Sequence, residues 1–415
     1  MANKLELTWY GKDEPIRVEP RLLIENTELS NTAADPDTQN MLIHGDNLLA
    51  LKALEQMYAC QIKSIYIDPP FNTGQAFEHY DDNLEHSIWL NLMYQRFKHL
   101  YKLLEANGLF WIHLDDIEVH YCKVVLDEIF SRQNFVAHIT YERSAVAGLG
   151  QGGYLVNTTE HILLYKKGAL PDKTNLSFEE LGFNIIKRYN RYVANFGKRT
   201  LVREFTAKSN GEVVRVYEHS DVEIDSISLR DVKNREAKIR SEFVAHLETL
   251  FRGNRVQKEN EFQNDIISGL HKDKFYSVDY IPSRGKNKDA QTTLYYYNCE
   301  LLSWLKDTTT LENGMLTKSQ KMTTLWKHGE IPKADIANEG GVYFPRSKKP
   351  EQLLHRIIEM STEPGDIVLD SFLGSGTTAA VAHKMGRHYI GIEMGEHAYT
   401  HCKPRLDAVI GGTDA

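Results

Sequence analysis

Four cysteines in 415 residues, Cys60, Cys122, Cys299 and Cys402, are too few and too scattered for a disulfide framework or a zinc cluster. They read as reduced core thiols. Long apolar runs are lacking as well. Nowhere do hydrophobic residues continue far enough to span a bilayer, so no membrane partner is expected. The opening stretch MANKLELTWYGKDEPIRVEP mixes charge and Pro throughout and lacks the basic end and apolar run of an export signal. A cytoplasmic location is the expectation. Excess positive charge is absent too: 49 Lys and Arg face 57 Asp and Glu, and the resulting net charge of −8, taken as a sum, argues against a polyanionic partner.

What is present qualifies that sum. At 41% hydrophobic, a chain of this length buries a substantial core and fits two or three domains. Its positive charge is concentrated. Lys187, Arg188, Arg191, Lys198, Arg199, Arg203 and Lys208 share one stretch whose only acid is Glu204, with Tyr189, Tyr192, Phe196 and Phe205 interleaved. Two readings stand side by side: a surface that holds phosphates and stacks bases, or a solvated basic face whose aromatics point into a core.

Short apolar runs closed by acids, Gly or Pro predict strands at Met41 to His44, Ser64 to Ile67, Leu109 to His113, Phe135 to Tyr141 and His161 to Tyr165. Helices are expected between them, from Leu48 to Tyr58, from about His86 to Ala106 with Asn107-Gly108 as its C-cap, and from Ile117 to Phe130. The end of the chain repeats the pattern, with helices from Pro350 to Met360 and Thr377 to Met385 and strands from Asp366 to Asp370 and Tyr389 to Glu393. Two strands cannot make a stable buried parallel sheet, so this tail must complete a sheet begun in the first third. Between them the pattern changes to charged helices such as Arg235 to Phe251, polar loops and scattered aromatics. The expected division is an arm at 1–40, a first half at 41–167, an insert at 168–336 and a second half at 337–415.

Ile367-Val368-Leu369-Asp370 leads into Gly374-x-Gly376-x-x-Ala379, and Glu393 ends the next strand about twenty residues on. Glycines let the turn approach a ligand, the helix N-terminus favours negative charge, and the acid suits ribose hydroxyls. By spacing this fits a dinucleotide or S-adenosylmethionine. The nicotinamide reading, an oxidoreductase, ranks second because almost no chain remains to build a second mononucleotide half. A P-loop fits worse still, because Thr377 stands where a Lys would have to be. Gly148-x-Gly150-x-x-Gly153 also matches the fingerprint, but strand-like residues follow it and a loop is the expectation.

Asp68-Pro69-Pro70-Phe71 ends another predicted strand. Adjacent prolines fix the backbone and withhold two amide donors, leaving carbonyls as aimed acceptors beside the Asp68 carboxylate, while Phe71 offers a flat face. Acceptors and an aromatic together suit the exocyclic amino group of a planar heterocycle. The plainer reading is a rigid Pro-Pro turn. Position favours the first, because ligands of doubly wound sheets bind outside the C-terminal strand ends.

Taken in order, IHGDNLLALKAL, SIYIDPPFNTG, GLFWIHLDD and FPRSKKPEQLLHRIIEMSTEPGDIVLDSFLGSGTTAAVAHKMGRHYIGIEM resemble the permuted class of amino-directed DNA methyltransferases. The likeness is strongest to the modification subunits of type III restriction systems. It covers roughly the first 165 residues and the last 80. The resemblance implies an α/β, Rossmann-like S-adenosylmethionine-dependent methyltransferase fold, circularly permuted, with an inserted target-recognition domain. It implies S-adenosylmethionine at Asp370, Phe372, Gly374, Gly376, Thr377, Thr378 and Glu393, with Asp46 near the pocket and Lys349-Pro350 matching the motif before the cofactor strand. Trp89 and Met93 match a segment that walls the pocket, although their helical spacing fits plain core packing as well. Asp68 to Phe71 would act on the base. Asp at position 68 resembles enzymes of adenine N6, where cytosine N4 enzymes usually carry Ser. Double-stranded DNA is the implied substrate, its target base rotated out of the helix. A restriction subunit and a second copy of the chain are the further implied partners. Lys187, Arg191, Arg203, Arg284, Lys286 and Lys288 are the candidate base or phosphate contacts of the insert.

Overall fold

The computed structural model describes the chain except residues 1–5, 15–17, 20, 73–84, 145–153, 172–175, 209, 258, 286, 313, 332–335, 346 and 415. The Gly148 to Gly153 fingerprint and Lys286 lie outside the described residues. The chain divides into two compact units, Met1–Thr174 with Thr323–Ala415, and Asn175–Met322.

In the first unit β1 (Met41–His44) leads to α1 (Asn47–Tyr58), whose first amides, Leu48 N and Leu49 N, are capped by the Asp46 carboxylate. Strand β2 (Ile62–Ile67) is buried on both faces almost throughout, as expected of a central parallel strand. Helix α2 (His86–Leu103) buries Trp89, Leu90, Met93, Phe97, Leu100 and Leu103 along one side. It ends before the expected Asn107-Gly108 cap: Leu104 is already extended and β3 runs from Leu104 to Leu114. Burial of Leu103 and Leu104 outweighs the glycine signal. Gly108 instead serves a register jump, from Ile62 opposite Leu104 to Ser64 opposite Leu109, where a Cβ would lie 2.7 Å from a Leu104 methyl.

After α3 (Val119–Leu126) come β4 (Phe135–Glu142) and β5 (Thr159–Lys166). The C-terminal segment adds α4 (Glu351–Ser361), β6 (Ile367–Asp370), α5 (Thr377–Lys384), β7 (His388–Glu393) and α6 (Lys403–Ile410). One eight-stranded sheet results, in the order β1-β7-β6-β2-β3-β5-β4 with the short strand Leu325–Trp326 at the far edge. All neighbours are parallel except β5, antiparallel to β3 and β4. The tail therefore enters the sheet between β1 and β2, as the two-strand argument required. Helices α1, α2 and α3 pack on one face and α4, α5 and α6 on the other, so the face used by the helices changes where β6 meets β2.

The second unit is mainly antiparallel β. Eight strands run in the order 223–226, 191–195, 250–254, 300–304, 292–297, 275–280, 213–220, 198–206, and a second sheet joins 310–312, 315–321 and 176–180. This departs from the expected charged helices and loops. Alternating Val, Tyr and Thr in VVRVYEHS, FYSVDY and TTLYYY carry the strands, with Val214, Val216, Tyr276, Val278 and Tyr296 in the core. The expected helix from Arg235 to Phe251 is Val232–Ala245, and Leu250 and Phe251 open a strand. No helix among the described residues is long and apolar enough to cross a membrane.

Candidate active site

The backbone at the end of β2 is fixed from outside. Trp89 Nε1 donates to the Pro70 carbonyl at 2.8 Å, and Asn72, in the left-handed region at φ +61°, donates to buried Glu118 at 2.9 Å. Trp89 thus serves both as core and as a brace for the Asp-Pro-Pro-Phe loop, while Met93 is fully buried core. The Pro70 carbonyl is taken by this brace; the acceptors expected from the proline pair are the carbonyls around Asp68 and Pro69.

Asp68 lies at the centre of a buried ionic cluster. Lys349 Nζ stands 3.3 Å from Asp68 Oδ2 and 3.3 Å from Glu160 Oε2, and 4.5 Å from the Phe71 ring centroid. His113 Nε2 is 2.7 Å from Glu160 Oε2, and Tyr66 OH meets His113 Nδ1 at 3.0 Å. Asp68 Oδ1 is buried without a hydrogen-bond partner among the described residues. Burial pushes the Asp68 carboxyl up to about 7, against the opposing pull of Lys349 and with the nearby Glu160 charge adding to the rise. Glu160 goes the other way: burial is overcome by Lys349, His113 and Arg143, which hold it well below the carboxylate range. Burial also opposes the Lys349 ammonium, but the two carboxylates outweigh it and raise its pKa. One carboxylate of the pair is thus poised near neutrality while the other stays charged.

One strand over, Asp370 ends β6. Its Oδ1 accepts from Phe372 N at 2.9 Å and its Oδ2 from Thr378 Oγ1 at 2.6 Å, yet burial still raises it to about 7. The turn between is held by Glu393 at the end of β7: Oε2 takes Gly374 N at 2.8 Å, and Oε1 takes Met394 N at 2.8 Å and Gly395 N at 3.0 Å. His397 Nε2 is 3.0 Å from the same Oε1. Gly374 and Gly376 both have left-handed φ, +58° and +82°, and a Cβ on Gly376 would lie 3.3 Å from Cys402 Cα, whereas the space beside Gly374 is open. Thr377 is structural: its Oγ1 accepts from Arg405 Nη1 at 2.7 Å, and buried Arg405 also reaches the Ser375 carbonyl and Glu351. Ser371 Oγ is buried without a hydrogen-bond partner among the described residues.

Asp46 is at the end of β1, the outer neighbour of β7. It caps α1 and pairs with Arg96 Nη2 at 3.2 Å, while Asn47 donates to the Ser371 carbonyl at 2.7 Å. Lys349, grouped by sequence with the cofactor strand, is found against Asp68, Glu160 and Phe71. Sequence reasoning does not reach its neighbours Glu160, His113 and Tyr66. Each is a polar letter within a largely apolar strand, and Glu160 alone carries a signal, as an acid opening the run EHILLYKK.

In the second unit the aromatics of the basic stretch go partly into the core, and part of its charge is already paired. Tyr189 is buried, Phe196 packs on Phe275, Tyr295 and Trp304, Arg199 pairs with Asp279 at 2.5 Å over the Tyr217 ring, and Arg203 donates to the Asp265 carbonyl at 2.9 Å. Arg188 and Arg191, with Arg252, instead line a concavity of about 230 Å³ together with Asn190, Tyr297 and Glu300.

The residues that make this site extend across a family match: a family described as DNA methylase fits residues 62–403. The chain belongs to the DNA methylase family. Among curated relatives, the probable type III restriction-modification enzyme HindVI Mod subunit of Haemophilus influenzae is 34% identical over 403 residues, 93% of this chain and 52% of that protein. The EcoPI Mod subunit of Escherichia phage P1 is 24% identical over 420 residues, 91% and 60% of the two chains. The type II methyltransferase M.KpnI of Klebsiella pneumoniae is 30% identical over 153 residues, 35% and 36%. The chain spans about half the length of the first of these relatives. In this chain the Asp68 half precedes the glycine-turn half, so the α/β Rossmann-like sheet is built in circularly permuted order. Family membership displaces the nicotinamide reading of the glycine turn.

Proposed function

We propose that the chain is a site-specific DNA methyltransferase that moves a methyl group from S-adenosylmethionine to the N6 amino group of adenine, as the modification enzyme of a restriction-modification system. The observation that carries this reading is the adjacency of β2 and β6, which brings the strand ends that carry Asp68 and Asp370 side by side. Its proposed substrate is double-stranded DNA. A restriction subunit and a second copy of the chain are the proposed partners, since two of the relatives are named as type III Mod subunits.

The turn fits the methyl donor on its own geometry. Open space at Gly374, the Ser371 hydroxyl, without a partner among the described residues, and the Asp370, Glu393 and Asp46 carboxylates surround the strand ends. Glu393 would reach a ribose hydroxyl while still holding the Gly374 amide, and Phe372 with the N-terminus of α5 at Thr377 and Thr378 would border the donor's other end. The donor supplies an electrophilic methyl on a sulfonium.

The chain's own residues do the rest. Phe71 stacks on the extruded base, a contact worth about 1–3 kcal/mol, which offsets much of the cost of leaving the helix. Asp68, when ionised, accepts an amino N–H and draws the nitrogen lone pair out of conjugation. Once the nitrogen is alkylated its N–H becomes acidic, and a carboxylate poised at about 7 takes up the released proton. The second unit is the proposed reader of sequence.

The test is transfer of labelled methyl from S-adenosylmethionine to DNA from a methylation-deficient host, followed by digestion to nucleosides. N6-methyladenine from the natural protein, and none from Asp68→Ala, is the expected result. Label in N4-methylcytosine would reassign the base, and no label in DNA would remove the reading.

A further inference from the structure

The Lys349 ammonium stands in the corner that a target base needs. It is within 3.3 Å of Asp68 Oδ2 and 4.5 Å from the Phe71 ring centroid, the acceptor and the aromatic surface on which the base's amino group and ring would rely. Asp68 Oδ1 is sealed from solvent, and the other oxygen, Oδ2, is the one that Lys349 holds. An ammonium and an exocyclic amino group are alike in what they offer, N–H donors to a carboxylate at the rim of a π-face. Both cannot occupy one corner.

Glu160 offers Lys349 a second seat at the same distance, 3.3 Å. A buried ammonium deprived of Asp68 would otherwise be left uncompensated, which is costly. Glu160 is itself pinned, by His113 Nε2 at 2.7 Å and by Arg143 Nε at 3.8 Å, with Tyr66 holding the far side of His113. The groups that face Lys349 are thus Asp68, Glu160 and Phe71, backed by His113, Tyr66 and Arg143, with Asp370 on the neighbouring strand.

We propose that Lys349 is a built-in stand-in for the target amino group: it holds Asp68 and Phe71 while the pocket is empty and passes to Glu160 when the base enters, which makes Glu160 a positioning residue for Asp68. This rests on the methyltransferase reading above and adds a gate to it. While the pocket is empty the ammonium supports the charge on Asp68, against the burial that drives that carboxyl toward neutrality. On entry of the base the ammonium need only shift between two carboxylates it already touches.

The experiment is a double-mutant cycle on methyl transfer to unmethylated host DNA, read as kcat/KM for DNA across pH, with S-adenosylmethionine affinity measured alongside. In Glu160→Gln the ammonium has only Asp68 as an anionic partner, so kcat/KM for DNA falls by about tenfold or more at every pH while cofactor affinity holds. In Lys349→Met the carboxyl loses its cation, so the acid limb moves to higher pH and activity returns above it. The double variant follows Lys349→Met: above the limb it exceeds Glu160→Gln. Glu160→Asp, which keeps the charge, falls between natural protein and Glu160→Gln, and supplies the comparison if the glutamine variant does not fold. Natural kcat/KM in Glu160→Gln, or a double variant no better than it above the limb, overturns the hand-over. A natural protein that methylates DNA while the cycle fails removes this inference alone, whereas a natural protein that transfers no methyl group removes the reading beneath it.

Discussion

Leu369 is the cross-strand partner of Ile65 in two adjacent parallel strands. Because both strands point the same way, the residues that follow them, Asp370 and Asp68, emerge at one edge of the sheet, near enough for the Asp68 charge to be among the causes that raise the Asp370 pKa. The pairing converts two sequence motifs into one crevice.

Gly376 tests the construction of that crevice. Its φ of +82° is a conformation that costs an L-residue roughly 1–2 kcal/mol, and a Cβ would also press on Cys402 Cα. Gly376→Ala is expected to lower stability by about that amount in urea unfolding and to weaken S-adenosylmethionine in calorimetry, because the turn that presents the Gly374 amide must shift. An unchanged midpoint and affinity would show that the turn is not under this constraint.

Phe71→Ala separates the base from the donor. Loss of stacking worth about 1–3 kcal/mol corresponds to roughly a fivefold to 150-fold fall in kcat/KM for DNA, while S-adenosylmethionine affinity stays the same. Phe71→Tyr keeps the face and should retain most activity. Equal losses for both ligands would show a general collapse of the loop.

The crevice was legible because two C-terminal strands cannot stand alone, so Asp370 had to join the sheet that ends in Asp68. The cluster around Asp68 was less so. His113 is the one polar letter in GLFWIHL and Glu160 one of several in EHILLYK, and a strand alternates faces whether or not a polar residue on one of them meets a partner from another strand. Lys349 is near β6 in sequence, yet the chain between them forms α4, which carries Lys349 to the Asp68 side. In the second unit the aromatics were visible but their strands were not, because β propensity depends on the cross-strand neighbours that only the folded sheet supplies.

Titration gives a signed test of the two carboxyls. Both have folded pKa values near 7, above the ordinary aspartate value, so between about pH 4 and 7 the folded state binds more protons than the unfolded one. Stability contributed by this difference is therefore present at the acid end and lost as pH rises toward 7, with a slope of at most about 1.4 kcal/mol per pH unit for each group. Asp370→Asn should flatten that decline in urea unfolding measured from pH 5 to about 8. Activity runs the opposite way, because the base needs an ionised Asp68: kcat/KM for DNA is expected to rise with pH to a plateau above about 7. A profile flat down to pH 5 would show that Asp68 is ionised far below that value.

The basic stretch of the second unit divides into residues left at the surface and residues that hold the unit together. Lys198 is exposed and Arg188 and Arg191 line an open concavity, whereas Arg199 is committed to Asp279 and Tyr217. Reversal to Glu at Lys198, Arg188 or Arg191 should weaken DNA binding and reduce the slope of log affinity against log salt by about one for each phosphate no longer neutralised, with S-adenosylmethionine affinity unchanged. Arg199→Glu should instead lower the unfolding midpoint, since it sets a carboxylate against Asp279. Filter binding at several salt concentrations and thermal unfolding on the same four variants distinguish the two groups. A salt slope altered by Arg199→Glu with natural stability, or one unmoved by the other three, would reverse this division and return the surface to a merely solvated face.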